Sequence, residues 1–223
     1  MDRKTKEIIE AARKVGWVME PQAKALFQHY ALPTTRFAWS KTVDDAIEDA
    51  HAIGYPVVAK IVSPEVMHKS DVGGVVVGID SDERLREAFE SMQGLPAFDG
   101  VLLDEMVSGK ELIVGAKSDP QFDMVILIGI GGTSVEIYKD VTMRMAPLSK
   151  DQALSALAGL QGQKLLDGYR GTAAVNREKV AELVVAFSEM AYDLRDVIES
   201  VDLNPVLCNA EKAVIADARI VLK

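Results

Sequence analysis

The sequence of 223 residues has a single cysteine, few aromatic residues and no long apolar run. With only Cys208, an internal disulfide framework is excluded and a reducing compartment is the default expectation. No apolar segment reaches the roughly 18 residues typical of a membrane-spanning helix, and the charged N-terminal segment lacks the apolar centre of a signal peptide. We therefore expect a cytoplasmic protein with no membrane partner.

The sequence also has fewer basic than acidic residues. The 25 Lys and Arg residues are outnumbered by 34 Asp and Glu residues, which gives a formal net charge of -9 at pH 7. Because no cluster of basic residues interrupts this acidic excess, we expect no nucleic-acid partner. The hydrophobic fraction of 48% beside 26% charged residues is typical of a folded globular chain and not of a disordered one.

Segments with helical and with strand-like apolar spacing alternate along the chain, which predicts the α/β class. Helices are predicted over residues 1–17, 20–33, 42–55, 80–94, 149–160 and 176–194. Strands are predicted over residues 34–40, 56–62, 73–79, 100–107, 110–118, 124–131, 141–148, 197–209 and 213–222. The turn at 118–123 is of hairpin type and argues against a purely parallel sheet. A short polar crossing suggests a domain division near residue 105.

A lysine and a pair of glycines mark the first candidate site. Lys60 lies in the apolar segment 56–62, where an ammonium group is costly unless it meets an anion. It either contacts a phosphate or snorkels at the end of the strand. Gly73 and Gly74 allow backbone N–H groups to approach an anion, although paired glycines are also common in hairpins. Lys69 adds positive charge to the same loop.

His68 is the most informative of the three histidines because it lies in this loop. His29 and His51 lie on predicted helices and are interpreted as packing or surface residues. An imidazole with a pKa of ~6.5 is largely neutral at pH 7 and can attack a phosphoryl group and hold it covalently. The alternative for His68 is an ordinary solvated side chain.

The second half of the chain has a glycine cluster, at 129, 131 and 132, that fits neither common nucleotide motif. No lysine follows the glycines, so the P-loop pattern fails, and no long helix follows, so the dinucleotide fingerprint fails too. Further along, Arg144 is a cation in an otherwise apolar strand. It could contact a transferring phosphoryl group or form an ordinary ion pair at a strand edge.

The clearest metal candidates are Asn204 and Asp217, two oxygen ligands inside apolar strands near the C-terminus. Mg²⁺ is satisfied by one or two such ligands together with waters and substrate phosphates. The spacing allows a hairpin that brings Asp217 opposite Asn204. Alternatively, the Asn-Pro pair only marks a turn that Asp217 caps. Glu199 and Asp202 are weaker candidates.

Taken together and in order, five segments resemble the ATP-grasp β subunit of ADP-forming acetyl-CoA synthetases, which are related to succinyl-CoA synthetase. The segments are HKSDVGGV, DEMVSGKELIVGAKSDPQF, GIGGTSVEIYKDVTMRMAPL, LLDGYRG and the pair ESVDLNPVL with VIADARI. One departure is that Thr133 and Ser134 replace apolar positions, whereas Glu136 is retained. The resemblance covers nearly the whole chain.

The resemblance implies an ATP-grasp fold: two α/β lobes with mixed sheets and an N-terminal helical segment. The implied division is 1–32 for the N-terminal helices, 33–104 for lobe 1 and 105–223 for lobe 2. It also implies roles for individual residues. Lys60 would contact the phosphates, and Gly73 and Gly74 would cover them. Beside the adenine, a hinge strand would be formed by Glu105, Met106 and Val107, and Glu111 would lie near the ribose. Asn204 and Asp217 would hold Mg²⁺, Arg144 would stabilise the phosphoryl group, and His68 would carry the phosphoryl group.

The implied activity is an acid–thiol ligase that converts acyl-CoA, ADP and phosphate to acid, CoA and ATP. This chain would transfer the phosphoryl group between a phosphohistidine and ADP. It would need an α subunit that carries the CoA-binding domain and the primary phosphohistidine, in an α₂β₂ heterotetramer. Two alternatives stay open: an ATP-grasp ligase that forms an acyl phosphate directly, and a nucleotide-binding regulatory module of an acyltransferase fusion.

Overall fold

The computed structural model describes residues 1, 3–132, 140–168 and 173–223. These residues form two compact units. Unit 1 contains Met1–Val18, Gln22–Thr34 and Ser108–Lys223, and unit 2 contains Met19–Pro21 and Thr35–Val107. This division differs from the predicted one, because the N-terminal helices fall largely within unit 1 and unit 2 ends at Val107 instead of residue 104.

The described helices and strands follow one another in this order: α1 (Arg3–Ala12), β1 (Trp17–Val18), α2 (Glu20–His29), β2 (Phe37–Ser40), α3 (Val43–Ile53), β3 (Val57–Ile61), β4 (Val75–Ile79), α4 (Asp82–Gln93), β5 (Val101–Glu105), β6 (Lys110–Asp119), β7 (Asp123–Ile130), β8 (Val141–Met145), α5 (Lys150–Ala158), α6 (Arg177–Asp193), β9 (Ile198–Cys208), β10 (Ala213–Ile215) and β11 (Ala218–Leu222). Short 3₁₀ turns lie at Lys69–Val72 and Gln161–Leu165.

Unit 2 contains a four-stranded sheet in the order β2-β5-β3-β4, with antiparallel neighbours throughout. Helices α3 and α4 supply much of its apolar core, and both begin at a hydroxyl residue that caps the helix. Thr42 accepts a hydrogen bond from the Asp45 N–H, and Ser81 accepts one from Arg84. Core residues of β3 alternate with Lys60, so Lys60 projects from the sheet face opposite to the one these helices cover.

Unit 1 contains a seven-stranded antiparallel sheet in the order β1-β11-β9-β6-β7-β8, with β10 paired to β9. Residues of α1, α2, α5 and α6 share one apolar core with this sheet. β8 is an edge strand of the sheet. The hairpin predicted at 118–123 is confirmed, because β6 and β7 pair from Leu112↔Ile130 to Asp119↔Asp123.

Three expectations about the strands need correction. The sheets are not mixed: every strand pair in the described ranges is antiparallel, and the one parallel contact there is an isolated bridge between Thr34 and Ile215. The strand predicted over 213–222 is two strands, β10 and β11. Trp17, predicted as helical, belongs to β1, which pairs with β11.

None of the helices in the described part of the chain combines the length and apolarity needed to span a bilayer. The predicted features at Thr133, Ser134 and Glu136, and the last part of segment 165–171, lie outside the described residues.

Candidate functional site

Lys60 is the centre of a buried ionic cluster in unit 2. Its ammonium nitrogen lies 2.7 Å from Glu20 Oε1 and 2.9 Å from Asp104 Oδ2, and the residue is only 6% exposed. An ammonium group is removed from water at a large cost unless carboxylates replace the lost hydration. The two carboxylates therefore explain how β3 accommodates a lysine.

The same cluster extends to the loop that follows β3. Glu20 uses its second oxygen, Oε2, to bind Lys69 Nζ at 2.9 Å, while Thr35 donates its hydroxyl to Asp104 Oδ1 at 2.5 Å. Two lysines thus face two carboxylates in this cluster. Sequence reasoning missed Glu20, Thr35 and Asp104, because Glu20 and Asp104 lie 40 and 44 residues from Lys60 along the chain.

His68 lies on the surface of unit 2, immediately before the 3₁₀ turn Lys69–Val72. Its carbonyl oxygen accepts a hydrogen bond from the Asp71 N–H at 3.3 Å. The imidazole is therefore attached next to Lys69, whose side chain belongs to the buried cluster. This exposure suits a side chain that must meet another molecule, and the role predicted for His68 stays a prediction.

Gly73 and Gly74 shape the turn that follows His68. Gly73 ends the 3₁₀ turn with a left-handed φ of 70°, which favours glycine. A Cβ at Gly74 would lie 2.5 Å from Ile61 Cγ2 and 2.9 Å from the Lys69 carbonyl oxygen, so no larger residue fits. Both glycine N–H groups donate to carbonyl oxygens of the turn, and the Gly74 bond to Lys69 is 2.8 Å long. The structure thus gives these N–H groups an internal role, and phosphate binding by the pair stays a prediction.

The predicted hinge segment is only partly a strand. Glu105 ends β5, whereas Met106 and Val107 follow it without regular structure, and Met106 is half exposed. The Glu105 carboxylate accepts hydrogen bonds from both the backbone N–H and the Nε of Arg36, each at 3.0 Å. These two bonds fix the Glu105 side chain at the end of β5.

In unit 1, the structure brings Asn204 and Asp217 together. Asn204 lies on β9, and Asp217 directly precedes β11, so the residues are neighbours in an antiparallel arrangement. The Asn204 N–H donates to the Asp217 carbonyl oxygen at 3.2 Å, and Asp217 Oδ1 accepts from the Ala218 N–H at 2.8 Å. The hairpin predicted from the spacing of the two residues is confirmed.

The donor chemistry of this pair fits Mg²⁺. An amide oxygen and a carboxylate oxygen are hard donors, and Mg²⁺ commonly takes one or two protein ligands and completes its octahedron with waters and phosphate oxygens. Among the described residues, no group of three or more His, Cys, Asp or Glu side chains could hold a metal ion. Two oxygen donors of this kind suit a Mg²⁺ ion whose remaining ligands are waters and phosphate oxygens.

Glu111 lies on β6 of the same sheet, next to the glycine cluster of the sequence analysis. Its carbonyl oxygen accepts the Gly131 N–H at 2.7 Å. A Cβ at Gly131 would come within 2.9 Å of Glu111, and one at Gly132 would lie 3.5 Å from Glu111 Oε2. These glycines allow close packing against Glu111, a reason for the motif that sequence reasoning did not find.

Arg144 lies apart from the Asn204 and Asp217 pair. It belongs to edge strand β8, three strands from β9, which corresponds to about 14 Å at the usual strand spacing. Its Nη1 donates to the Met143 carbonyl oxygen at 2.8 Å, and both residues line a cavity of about 930 Å³. The structure therefore does not place Arg144 beside the candidate metal ligands, and its predicted contact with the phosphoryl group stays a prediction.

Asp202 also lines this cavity. It lies 3.6 Å from Arg219 Nη2, its register partner on β11. Burial raises the pKa of the Asp202 carboxyl above its ordinary value, and the Arg219 charge partly opposes that rise. Of the two weaker candidates, Asp202 is thus in a half-buried setting, whereas Glu199 is exposed.

Comparisons with known proteins identify the family of the chain. A family model described as "ATP-grasp domain" matches residues 10–222. The chain is 40% identical over 233 residues to the acetate–CoA ligase (ADP-forming) I subunit beta of Pyrococcus furiosus, and the alignment covers the full length of both chains.

Solved structures give the same result. The dinucleotide-forming acetyl-coenzyme A synthetase 1 of Ca. Korarchaeum cryptofilum, in complex with coenzyme A and Ca-AMPCP, matches with a TM-score of 0.92 at 35% identity, covering 98% of this chain and 100% of that one. A second structure of that enzyme, with coenzyme A, Mg-AMPPCP and its phosphohistidine segment pointing towards the nucleotide binding site, matches with a TM-score of 0.86 at 34% identity, covering 98% and 99%.

Proposed function

The chain belongs to the ATP-grasp family, among the β subunits of ADP-forming acetate–CoA ligases, and from this premise we propose that it is the nucleotide-handling subunit of an ADP-forming acid–thiol ligase. The complete enzyme would convert acyl-CoA, ADP and phosphate to a carboxylic acid, CoA and ATP. The observation that carries the proposal is the match to a β subunit over the full length of both chains. The enzyme would use ATP or ADP as its nucleotide and Mg²⁺ as its cation.

The step assigned to this chain is phosphoryl transfer between His68 and ADP. In the ATP-forming direction, a terminal oxygen of the ADP β-phosphate attacks the phosphorus of phosphohistidine. The new P–O bond forms as the P–N bond breaks, and the electron pair of that bond returns to the imidazole nitrogen. In phosphoryl transfer the bond changes involve only the phosphorus and the two groups that exchange it. The protein would therefore contribute by positioning these groups and by stabilising the charge on the phosphoryl oxygens.

In unit 2, Lys60 would contact the phosphates, Gly73 and Gly74 would lie over them, and residues 105–107 would lie beside the adenine. The ammonium group of Lys60, which lies between two carboxylates, carries three N–H donors, and this is the chemistry that a phosphate contact needs. The exposed position of His68 supports its assignment as the phosphoryl carrier.

In unit 1, Asn204 and Asp217 would hold Mg²⁺ and Glu111 would lie near the ribose. The oxygen chemistry and the adjacency of Asn204 and Asp217 support their assignment. The bound cation would neutralise charge on the phosphate oxygens. Arg144, as the remaining candidate, would stabilise the phosphoryl group in transfer.

A β subunit implies an α partner. We assign to that partner the CoA-binding domain and the primary phosphohistidine, and we propose an α₂β₂ heterotetramer in the cytoplasm. Native mass spectrometry of the co-expressed subunits tests the stoichiometry, because an α₂β₂ complex and an αβ pair differ twofold in mass.

The test of the activity uses the chain together with its α partner, a panel of acyl-CoA substrates, ADP, phosphate and Mg²⁺. ATP formation that requires both subunits supports the proposal. If no ATP forms with any acyl-CoA, the proposal is wrong. The His68→Ala variant distinguishes the phosphohistidine relay from direct formation of an acyl phosphate, because the relay predicts loss of turnover and the direct route predicts full turnover.

A further inference from the structure

Glu20 links the His68 loop to the sheet of unit 2. Its Oε2 lies 2.9 Å from Nζ of Lys69, the residue after His68, and its Oε1 lies 2.7 Å from Nζ of Lys60 on β3. The Glu20 side chain is 2% exposed, and the Lys69 side chain is 13% exposed. A single buried carboxylate therefore connects the histidine-bearing turn to a central strand.

The turn has other contacts besides this ion pair. The Ile61 N–H donates to the Gly74 carbonyl oxygen, and the Gly74 N–H donates to the Lys69 carbonyl oxygen, both at 2.8 Å. These bonds fix the backbone after Lys69. Before His68, the buried side chain of Val66 packs into the core of unit 2. The ion pair between Glu20 and Lys69 adds a buried side-chain contact at the residue beside His68.

A simpler explanation for Glu20 is the helix macrodipole, since an acidic residue at a helix start is favourable. That interaction requires neither burial nor two ammonium partners. Burying a carboxylate and two lysines would be unfavourable without their mutual contacts. The geometry of Glu20 therefore indicates a function beyond helix initiation.

We propose that Glu20 is a positioning residue for His68. Its carboxylate holds Lys69, and Lys69 in turn sets where the His68 backbone places the imidazole. Glu20 does not touch the reacting atoms. The inference rests on the proposed function, because an exact position of the imidazole matters only if His68 carries the phosphoryl group. A misplacement of about 1 Å can lower the rate of such a transfer by about 100-fold.

The test uses the full chain with Mg-[γ-³²P]ATP and measures acid-labile label on His68. In this direction a ring nitrogen attacks the γ-phosphorus, the bond to the bridging oxygen breaks, and ADP leaves with that electron pair. Lys69→Met should lower the labelling rate at least about tenfold while the Kd for Mg-ATP, measured by calorimetry, changes by less than about threefold. Lys69→Arg, which keeps the charge, should restore much of the rate.

The matched control is Lys41→Met, which removes a half-exposed lysine of the same unit that pairs with Asp99. Its labelling rate should equal that of the wild type. The double variant Glu20→Gln/Lys69→Met should label no more slowly than Glu20→Gln alone, because both changes break the same link. If the double variant lost as much labelling rate as the two single variants combined, the proposed link between Glu20 and Lys69 would be contradicted.

Two failures can be told apart. If the wild type labels His68 and Lys69→Met labels it equally fast, the positioning role is wrong and the proposed function stands. If the wild type acquires no label at His68 either from ATP or during turnover with the α partner, both the relay and the positioning role are wrong. If Lys69→Met unfolds, the Lys69→Arg and Glu20→Asp variants are compared instead. A labelling rate equal to that of the wild type in Lys69→Arg, together with a lower rate in Glu20→Asp, supports the positioning role. Wild-type rates in both variants overturn the positioning role.

Discussion

The backbone N–H of Asn204 donates to the carbonyl oxygen of Asp217 at 3.2 Å, one step beyond the register pair of Leu203 and Ala218. The bond holds the last residue before β11 against β9. Residues directly opposite one another in such a pair have Cβ atoms about 4.5–5.5 Å apart, a separation that lets two side chains ligate one cation. The relationship therefore identifies the residues whose removal should weaken binding of a Mg²⁺-nucleotide.

Asp217→Asn should weaken the binding of Mg-ATP at least about tenfold, or about 1.4 kcal/mol, because it removes the only charged ligand of the pair. Isothermal titration calorimetry with Mg-ATP measures the change. The matched control is Asp193→Asn, an exposed carboxylate at the end of α6, which should leave affinity unchanged. Equal affinity in Asp217→Asn and the wild type would remove Asp217 from the site.

Gly74→Ala should lower the free energy of unfolding by about 1–3 kcal/mol, because its Cβ would overlap Ile61 and the Lys69 carbonyl oxygen. Gly73→Ala should cost about 1–2 kcal/mol for a different reason, the left-handed backbone. Gly94→Ala is the control, since Gly94 has an ordinary helical conformation and a Cβ added there would lie 3.6 Å from the nearest atom, the Ser91 carbonyl oxygen. Urea unfolding measures all three, and an order with Gly94 most affected would contradict the structure.

Lys60→Met should lower the free energy of unfolding by about 3–5 kcal/mol, because it removes an ammonium group that both buried carboxylates contact. The double variant Lys60→Met/Asp104→Asn restores the charge balance and should be more stable than Lys60→Met alone. Denaturant titration of the two variants and the wild type tests this order. A double variant less stable than the single one would show that charge balance does not govern the cluster.

Asp82 joins α4 to α3 in a pH-dependent way. Its Oδ1 accepts the Tyr55 hydroxyl at 2.9 Å and lies 2.8 Å from His51 Nε2. The Tyr55 hydrogen bond, followed by that of His51, holds the pKa of Asp82 below its ordinary value. Because the pKa is lower in the folded state, this contribution to stability is present above the unfolded pKa of about 3.9 and is lost as the pH falls through the folded value.

Asp82→Asn should therefore lower the Tm at pH 6, and the difference from the wild type should shrink as the pH falls from about 5 to about 3. Thermal unfolding followed by circular dichroism across this range measures it. Glu90→Gln, an exposed change on the same helix, should show no such trend. A difference in Tm that grows on acidification would mean that the sign of the Asp82 contribution is wrong.

Local signals predicted much of the fold. The helix predicted over 42–55 is α3, which lies between Thr42 and Gly54, and both residues are local signals because a capping hydroxyl and a terminal glycine act within a few residues. The hairpin of β6 and β7 was predictable for the same reason. In contrast, β1 has two residues, and Trp17 pairs with Val221 at the other end of the chain. No local pattern distinguishes such a strand from the end of a helix.

The candidate site divides in the same way. The residue types of His68, Asn204 and Asp217 indicated them as candidates from the sequence. The spacing of Asn204 and Asp217 predicted a hairpin that brings the two residues opposite one another. The partners of Lys60 were not predicted, since Glu20 and Asp104 reach it from 40 and 44 residues away. Likewise, only the strand order shows that β8, which carries Arg144, lies three strands from β9.

Composition, periodicity and spacing were thus sufficient to predict the α/β class and most helices and strands, and they singled out candidate site residues whose roles stay predictions. Folding alone established that every described strand pair is antiparallel, that the N-terminal helices fall largely within unit 1, and that a buried link joins Glu20 to Lys69. The physical reason is distance along the chain. Short-range preferences depend on residues a few positions apart, whereas a buried ion pair forms only where packing brings remote charges together and excludes water.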